Sequence, residues 1–150
     1  MTVQILQAHQ ITDQMELEFF QLFKQLSPHR KQNPVRSLFK SDNQKIIACC
    51  MEDGCVIGFA LMGIYSVISG NKGWIEDVIV DQSHRKRGIG EKLVRLLLDT
   101  SKQFELTDIS LFTEEHRSAA IHLYEKLDFK VRDSIIFTKR VNAPQMQNQK

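Results

Sequence analysis

One stretch constrains this chain more than any other: Val78-Ile79-Val80-Asp81-Gln82-Ser83-His84-Arg85-Lys86-Arg87-Gly88-Ile89-Gly90. The apolar, β-branched start reads as the end of a strand, and a polar, basic loop follows it. Gly88 then opens a strongly periodic helix with Ile89, Leu93, Leu96 and Leu97 on one face. Glycines at such a turn let backbone approach a ligand, and a helix start offers unpaired N–H groups and a dipole that favours anions. Arg85, Lys86 and Arg87 add positive charge at the same place. The chemistry is that of a pyrophosphate site, although a glycine turn of this kind also serves packing alone. Two phosphate motifs are excluded. Leu93 stands where a dinucleotide fingerprint needs its third glycine, and no Gly-Lys-Ser/Thr of a P-loop occurs. A nucleic-acid patch over His84 to Arg87 lacks interleaved aromatics and a recognised module around it, so no nucleic-acid partner is expected.

The rest of the chain places this turn in a fold. Val3 to Leu6 reads as a short strand. Asp13 to Leu26 carries a helical stripe of Leu17, Phe20 and Phe23, with Phe19 and Leu22 beside it; Asp13 with Glu16 resembles a capping box, and Pro28 stops the helix. Asn33-Pro34 reads as cap and first position of a short helix with Val35, Leu38 and Phe39. Ile46–Met51 and Cys55–Ile68 form a hairpin about Asp53-Gly54, and the turn Ser69–Gly73 leads to a strand from Trp74 to Val80. After the main helix come a strand over Thr107–Phe112, a helix over Ser118–Leu127, and a final strand or pair of strands over Phe129–Val141. The order β-α-α-β-β-β-α-β-α-β predicts an α/β (α+β) single domain over residues 1–150: a mixed, mostly antiparallel sheet with helices on both faces. The polar residues 142–150 read as a flexible tail.

Composition supports one compact domain and little more. With 42% apolar and 25% charged residues, 150 residues suffice for a single core, and disordered classes are excluded. Cys49, Cys50 and Cys55 give neither a disulfide framework nor a metal-ligand spacing, and in their apolar runs they read as small buried hydrophobes. The amino terminus lacks the pattern of a signal peptide, and Val56–Ile68 is too short for a bilayer span. No membrane partner and a cytoplasmic location are therefore expected.

Two segments carry a family resemblance. Arg85-x-x-Gly88-x-Gly90 resembles the Arg/Gln-x-x-Gly-x-Gly/Ala signature of the GNAT superfamily of acyl-CoA N-acyltransferases. Ala119-Ala120-Ile121-His122-Leu123-Tyr124-Glu125-Lys126-Leu127-Asp128-Phe129 resembles that family's Ala-x-x-Leu-Tyr-x-x-x-Gly-Phe segment. The order of elements over nearly the whole chain is similar too. Two departures stand out: Asp128 replaces the usual Gly, and Arg117 replaces a frequent Asn.

The resemblance implies a GNAT-like fold with splayed central strands, acetyl-CoA as cofactor, and transfer of its acetyl group to a primary amine by direct attack in a ternary complex. It implies that Val78, Ile79 and Val80 meet the pantetheine arm and that Arg85, Lys86, Arg87, Gly88, Ile89 and Gly90 hold the pyrophosphate. Arg117 replaces a residue that helps hold the cofactor or the strand end. Tyr124 matches the general acid that protonates the departing thiolate, and an N–H near Val78 the oxyanion donor. An alkyl ammonium with pKa near ~10.4 must lose a proton before attack, and Glu76, mid-strand beside the cofactor positions, is the candidate base through a water. Strand alternation predicts that Asp77 faces away from Glu76, so that only one of the two enters the cleft.

The acceptor stays open. Glu114, Glu115, His116 and Arg117 are expected to line the acceptor side, where acids such as Asp77 and Glu114 suit a cationic amine and Arg117 suits a phosphate or phosphonate. Polyamines, amino-sugar phosphates, aminoalkylphosphonates and peptide N-termini all fit some of these residues. A non-catalytic CoA-binding module is the alternative to an enzyme, and the family's frequent dimers leave a homodimer open.

Overall fold

The computed structural model describes residues 1–141, and the predicted tail from Asn142 lies outside the described residues. The strands are β1 (Thr2–Ile5), β2 (Lys45–Glu52), β3 (Cys55–Val67), β4 (Gly70–Val80) and β5 (Leu106–Ser110). The helices are α1 (Asp13–Leu26), α2 (Val35–Leu38), α3 (Ile89–Ser101) and α4 (Ser118–Lys126), with short 3-10 turns between elements. One sheet in the order β1-β2-β3-β4-β5 runs antiparallel except for the parallel β4–β5 pair, which α3 connects.

Each face of the sheet is sealed by helix side chains at the spacing the sequence shows. On one face, Ile89, Leu93, Val94 and Leu97 of α3 are wholly buried against Ile46, Ala48, Met62 and Ile75. Burial of each such side chain contributes roughly 1.5–3 kcal/mol before conformational entropy is charged against it. On the other face, Met15, Phe19 and Leu22 of α1 pack over Ile47, Cys49 and Phe59, with the Phe19 and Phe59 rings 4.7 Å apart. Glu18 is drawn into that interface because its carboxylate accepts the Val56 amide at 2.9 Å and the Gln14 side chain at 2.9 Å.

Four local expectations are corrected. The α1 cap is Thr12, whose hydroxyl accepts the Met15 amide at 3.1 Å; Glu16 instead caps α2, accepting the amides of Val35 and Arg36 at 2.9 and 2.8 Å. Cys49 and Cys50 are buried, and burial pushes the Cys49 thiol up to about 11, but Cys55 at the hairpin turn is exposed. No strand forms over Phe129–Val141. Ladder pairing, not residue preference, decides a strand, and Val131, Ile135, Phe137 and Val141 stand exposed without it. Lastly, β4 starts at Gly70, directly after a two-residue turn that pairs Val67 with Gly70.

Candidate active site

The site begins where β4 loses a neighbour. Its pairing with β5 runs only from Asn71↔Leu106 to Trp74↔Ser110, so the flank of Ile75–Val80 on that side has no strand partner among the described residues. On its other flank, β4 slips register against β3: Leu61 opposes Glu76 and Phe59 opposes Ile79, leaving Asp77 and Val78 opposite Ala60. Asp77 sits in the left-handed region, with φ 53°. This extra residue is a β-bulge, and it cancels one step of strand alternation.

The bulge corrects the prediction for the two acids. Glu76 and Asp77 both line one cavity of about 950 Å³ between α1, α2 and the sheet. Val78 and Val80 pack toward α3 on the opposite face, while Ile79 joins the α1 side. Burial raises the Glu76 carboxyl above its ordinary value, and the charge of Asp77 raises it further; Arg30 and the Trp74 indole oppose the rise. Asp77 is raised by burial, again opposed by Arg30. Glu76 is the more exposed of the two and Asp77 the deeper.

Leu17, Phe20 and Phe23 from α1 and Val35 and Leu38 from α2 form an apolar part of the wall of this cavity, and Lys31, Gln32, Asn33, Arg36, Ser37 and Lys40 form a polar part. Sequence reasoning placed the apolar residues on helices without seeing a cavity. The available signal was the width of the α1 stripe: Met15, Phe19 and Leu22 fill the core face, so Leu17 and Phe20 lie outside it.

Tyr124 belongs to a second cavity of about 460 Å³, on the α4 side, which Trp74, Ser110, Phe112 and Phe129 help to line. Burial pushes the Tyr124 hydroxyl up, opposed by the Arg117 cation, so the group stays protonated at neutral pH. Its backbone is fixed by the end of α4: the Phe129 amide donates to Tyr124 O at 3.0 Å and the Asp128 amide to Glu125 O at 3.0 Å, with Asp128 at φ 65°. That is a Schellman stop with Asp in the place glycine favours. Arg117 stands at the N-cap of α4 and pairs with Glu114, Nε to Oε2 at 3.3 Å; His116 also meets Glu114, at 3.2 Å. Glu114 and Glu115 line neither cavity.

Beyond Val80 the loop is braced from several sides. The Asp81 carboxylate accepts from Gln25 at 2.8 Å and from the Ser83 amide at 2.9 Å, and it meets His84 at 3.0 Å. These hydrogen bonds hold its carboxyl well below the usual range. The Arg85 Nε donates to Val80 O at 3.2 Å. Arg87 forks onto Glu52 at 2.6 and 2.9 Å, so its charge is largely met within the chain, whereas Arg85 and Lys86 join no ion pair among the described residues. Gly88, at φ 71°, is the N-cap of α3 and supplies no side-chain acceptor to the first helical amides. A Cβ on Gly90 would approach Leu123 at 3.4 Å and Val80 at 3.9 Å.

An unpartnered strand flank leading to an uncapped, cation-flanked helix start fits an extended chain that ends in phosphates. The residues therefore fit the cofactor that the sequence resemblance implies. Val78 and Val80 would hold its arm and the amides from Gly88 to Gly90 its pyrophosphate, with Arg85 and Lys86 beside them.

The model of the Acetyltransferase (GNAT) family matches residues 9–129. The chain belongs to this family. The N-alpha-acetyltransferase 30 of Saccharomyces cerevisiae is 36% identical to it over 58 residues, which are 39% of this chain and 33% of that protein. The L-amino acid N-acyltransferase MnaT of Escherichia coli is 30% identical over 81 residues, 53% of this chain and 47% of that protein. The matched regions thus span a third to a half of these relatives. Among solved structures, the aminoglycoside N-acetyltransferase AAC(6')-Iy in complex with CoA superposes with a TM-score of 0.72 at 18% identity, over 94% of this chain and 100% of that one. That likeness shows a shared fold.

Proposed function

We propose that this GNAT-family chain transfers the acetyl group of acetyl-CoA to a primary amine. The observation that carries the reading is the half-partnered β4, with two raised carboxylates on one face, a protonated tyrosine on the other, and an anion-binding turn at its end. The names of the two relatives, an N-alpha-acetyltransferase and an L-amino acid N-acyltransferase, support an amine acceptor.

When bound, acetyl-CoA supplies the thioester whose C–S bond breaks as the new C–N bond forms. The chain's own residues manage charge. Glu76, with Asp77 beside it, draws the incoming ammonium to the β4 flank and takes its proton, directly or through a water. A carboxyl raised toward neutral pH is better matched to that proton than an ordinary one. Tyr124 donates its hydroxyl proton to the departing sulfur; the second proton, lost by the nitrogen once the C–N bond has formed, restores it through solvent, and the first leaves Glu76 for solvent.

Two measurements test the proposal. Acetyl-CoA at ~100 times its dissociation constant should add about 2.7 kcal/mol to stability, a clear rise in Tm. A panel of amines should then release free CoA thiol, with intersecting double-reciprocal lines as expected for direct attack in a ternary complex. Absence of a shift at millimolar acetyl-CoA would overturn cofactor binding. A shift without thiol release from any amine would leave a CoA-binding module rather than an enzyme.

A further inference from the structure

We propose that the acceptor is a primary amine borne on a large apolar or aromatic body, with the ammonium at Glu76 and Asp77 and the body against Leu17, Phe20 and Phe23. The assignment rests on the N-acetyltransferase reading and narrows it to a class of substrate.

Three features of the larger cavity carry it. The first is incomplete burial: Phe20 is 43% and Leu17 50% exposed, although both are large, apolar and set in a concave wall. An apolar ligand would bury that surface against its own, whereas a sugar or polyamine covering it would leave polar groups desolvated without partners. Lys24 already lies over one face of Phe20, its Nζ 4.6 Å from the ring centroid, and helps hold the ring.

Charge is the second feature. The acids lining the cavity are Glu16, Glu76 and Asp77, and both oxygens of Glu16 are occupied by the amides of Val35 and Arg36. That leaves one carboxylate pair, at the floor and partly offset by the charge of Arg30, for a cation. The lining bases are Lys31, Arg36 and Lys40, of which Arg36 is paired with Asp13 at 2.6 Å. A second or third ammonium, as in a polyamine, would therefore meet Lys31 and Lys40, with no further free acid among the lining residues.

Distribution is the third. The carboxylates sit on β4, and Leu17, Phe20, Phe23, Val35 and Leu38 come from the helices that roof the same cavity. A ligand with one charged end and an apolar remainder matches that division, and a uniformly polar acceptor leaves the roof unsatisfied. The shared chemistry can arise as a free arylalkyl or aliphatic amine, an apolar α-amino acid, or a peptide beginning with an apolar residue.

The test uses the full chain, saturating acetyl-CoA and thiol detection. One arm holds phenylethylamine, leucine, phenylalanine and peptides beginning with Leu or Phe; the other holds spermidine, glucosamine 6-phosphate and aminoethylphosphonate. The assignment expects kcat/KM for the best apolar amine to exceed that for every polar one by about 10-fold or more. The amino-acid and peptide members identify the source. Phe20→Ala, outside the core, should raise KM for the apolar amine about 10-fold and leave the acetyl-CoA melting shift intact. A polar amine as best substrate, or an unchanged KM in a folded Phe20→Ala that still binds acetyl-CoA, overturns the acceptor class and leaves the activity standing. Thiol release from no amine overturns the activity and the acceptor class together.

Discussion

Tyr124 and Phe129 are joined twice: the Phe129 amide donates to the Tyr124 carbonyl at 3.0 Å, and the two rings meet edge-on with centroids 5.9 Å apart. The helix stop therefore also fixes the ring that carries the hydroxyl. Tyr124→Phe removes only the oxygen and keeps both connections. Turnover is expected to fall about 100-fold, the usual scale for losing a general acid, with the acetyl-CoA melting shift unchanged. Steady-state thiol release beside thermal melting checks this, and equal turnover would assign the proton to solvent.

Asp77 yields a prediction about stability and pH. Its folded carboxyl is raised by burial, opposed by Arg30, so between the ordinary and the raised value the native state keeps a proton that the unfolded chain has released. Stability from this group is full below the ordinary carboxylate value and is lost as pH rises through the raised one. Asp77→Asn keeps a residue type that tolerates the left-handed backbone and carries no charge to bury. The variant should be more stable than the parent at pH 8, with the difference shrinking as pH falls below the raised value. Denaturant midpoints across that range measure it. A constant difference at all pH values would refute the linkage.

Gly88 separates conformation from contact. An added Cβ would meet nothing within 4 Å, yet φ is 71°. Gly88→Ala should cost about 1 kcal/mol from backbone strain alone. At this chain length that lowers Tm by about 2–4 °C. It should also weaken acetyl-CoA binding if the turn relaxes toward negative φ, which titration by melting shift would show.

Glu18 is a stability residue in the α1–β3 interface. Glu18→Ala leaves the Val56 amide without its acceptor inside the α1–β3 interface and should cost about 1–3 kcal/mol. Glu18→Gln keeps an acceptor oxygen and should lose less. Urea unfolding of both variants discriminates them.

Where local periodicity and apolar burial coincide, the sequence was a good guide. Leu93 and Leu97 of α3 lie in the core and the Asp53-Gly54 turn closes the β2–β3 hairpin, whereas on α1 the core face is Met15, Phe19 and Leu22 rather than the stripe centred on Leu17, Phe20 and Phe23. The candidate site was legible as a set of residues but not as an arrangement. Nothing local in Glu76-Asp77 announces a bulge, because alternation assumes one residue opposite each partner and the slip depends on pairing with β3. The tie between Arg87 and Glu52 joins positions 35 apart, beyond any local pattern. The segment Phe129–Val141 has the composition of a strand, and composition cannot say whether a neighbouring strand pairs with it.

The unpartnered half of β4 has one more consequence, for life in a crowded solution. A bare strand flank is a template on which another chain can add itself and start a precipitate. Here a bulge kinks the flank at Asp77, and Arg85 occupies the last carbonyl, that of Val80. Glu76 and Asp77 add negative charge that a second strand would have to bury. The features that open a slot for a small extended ligand thus also turn away a large one, so the protein can leave main-chain groups exposed without inviting its own aggregation.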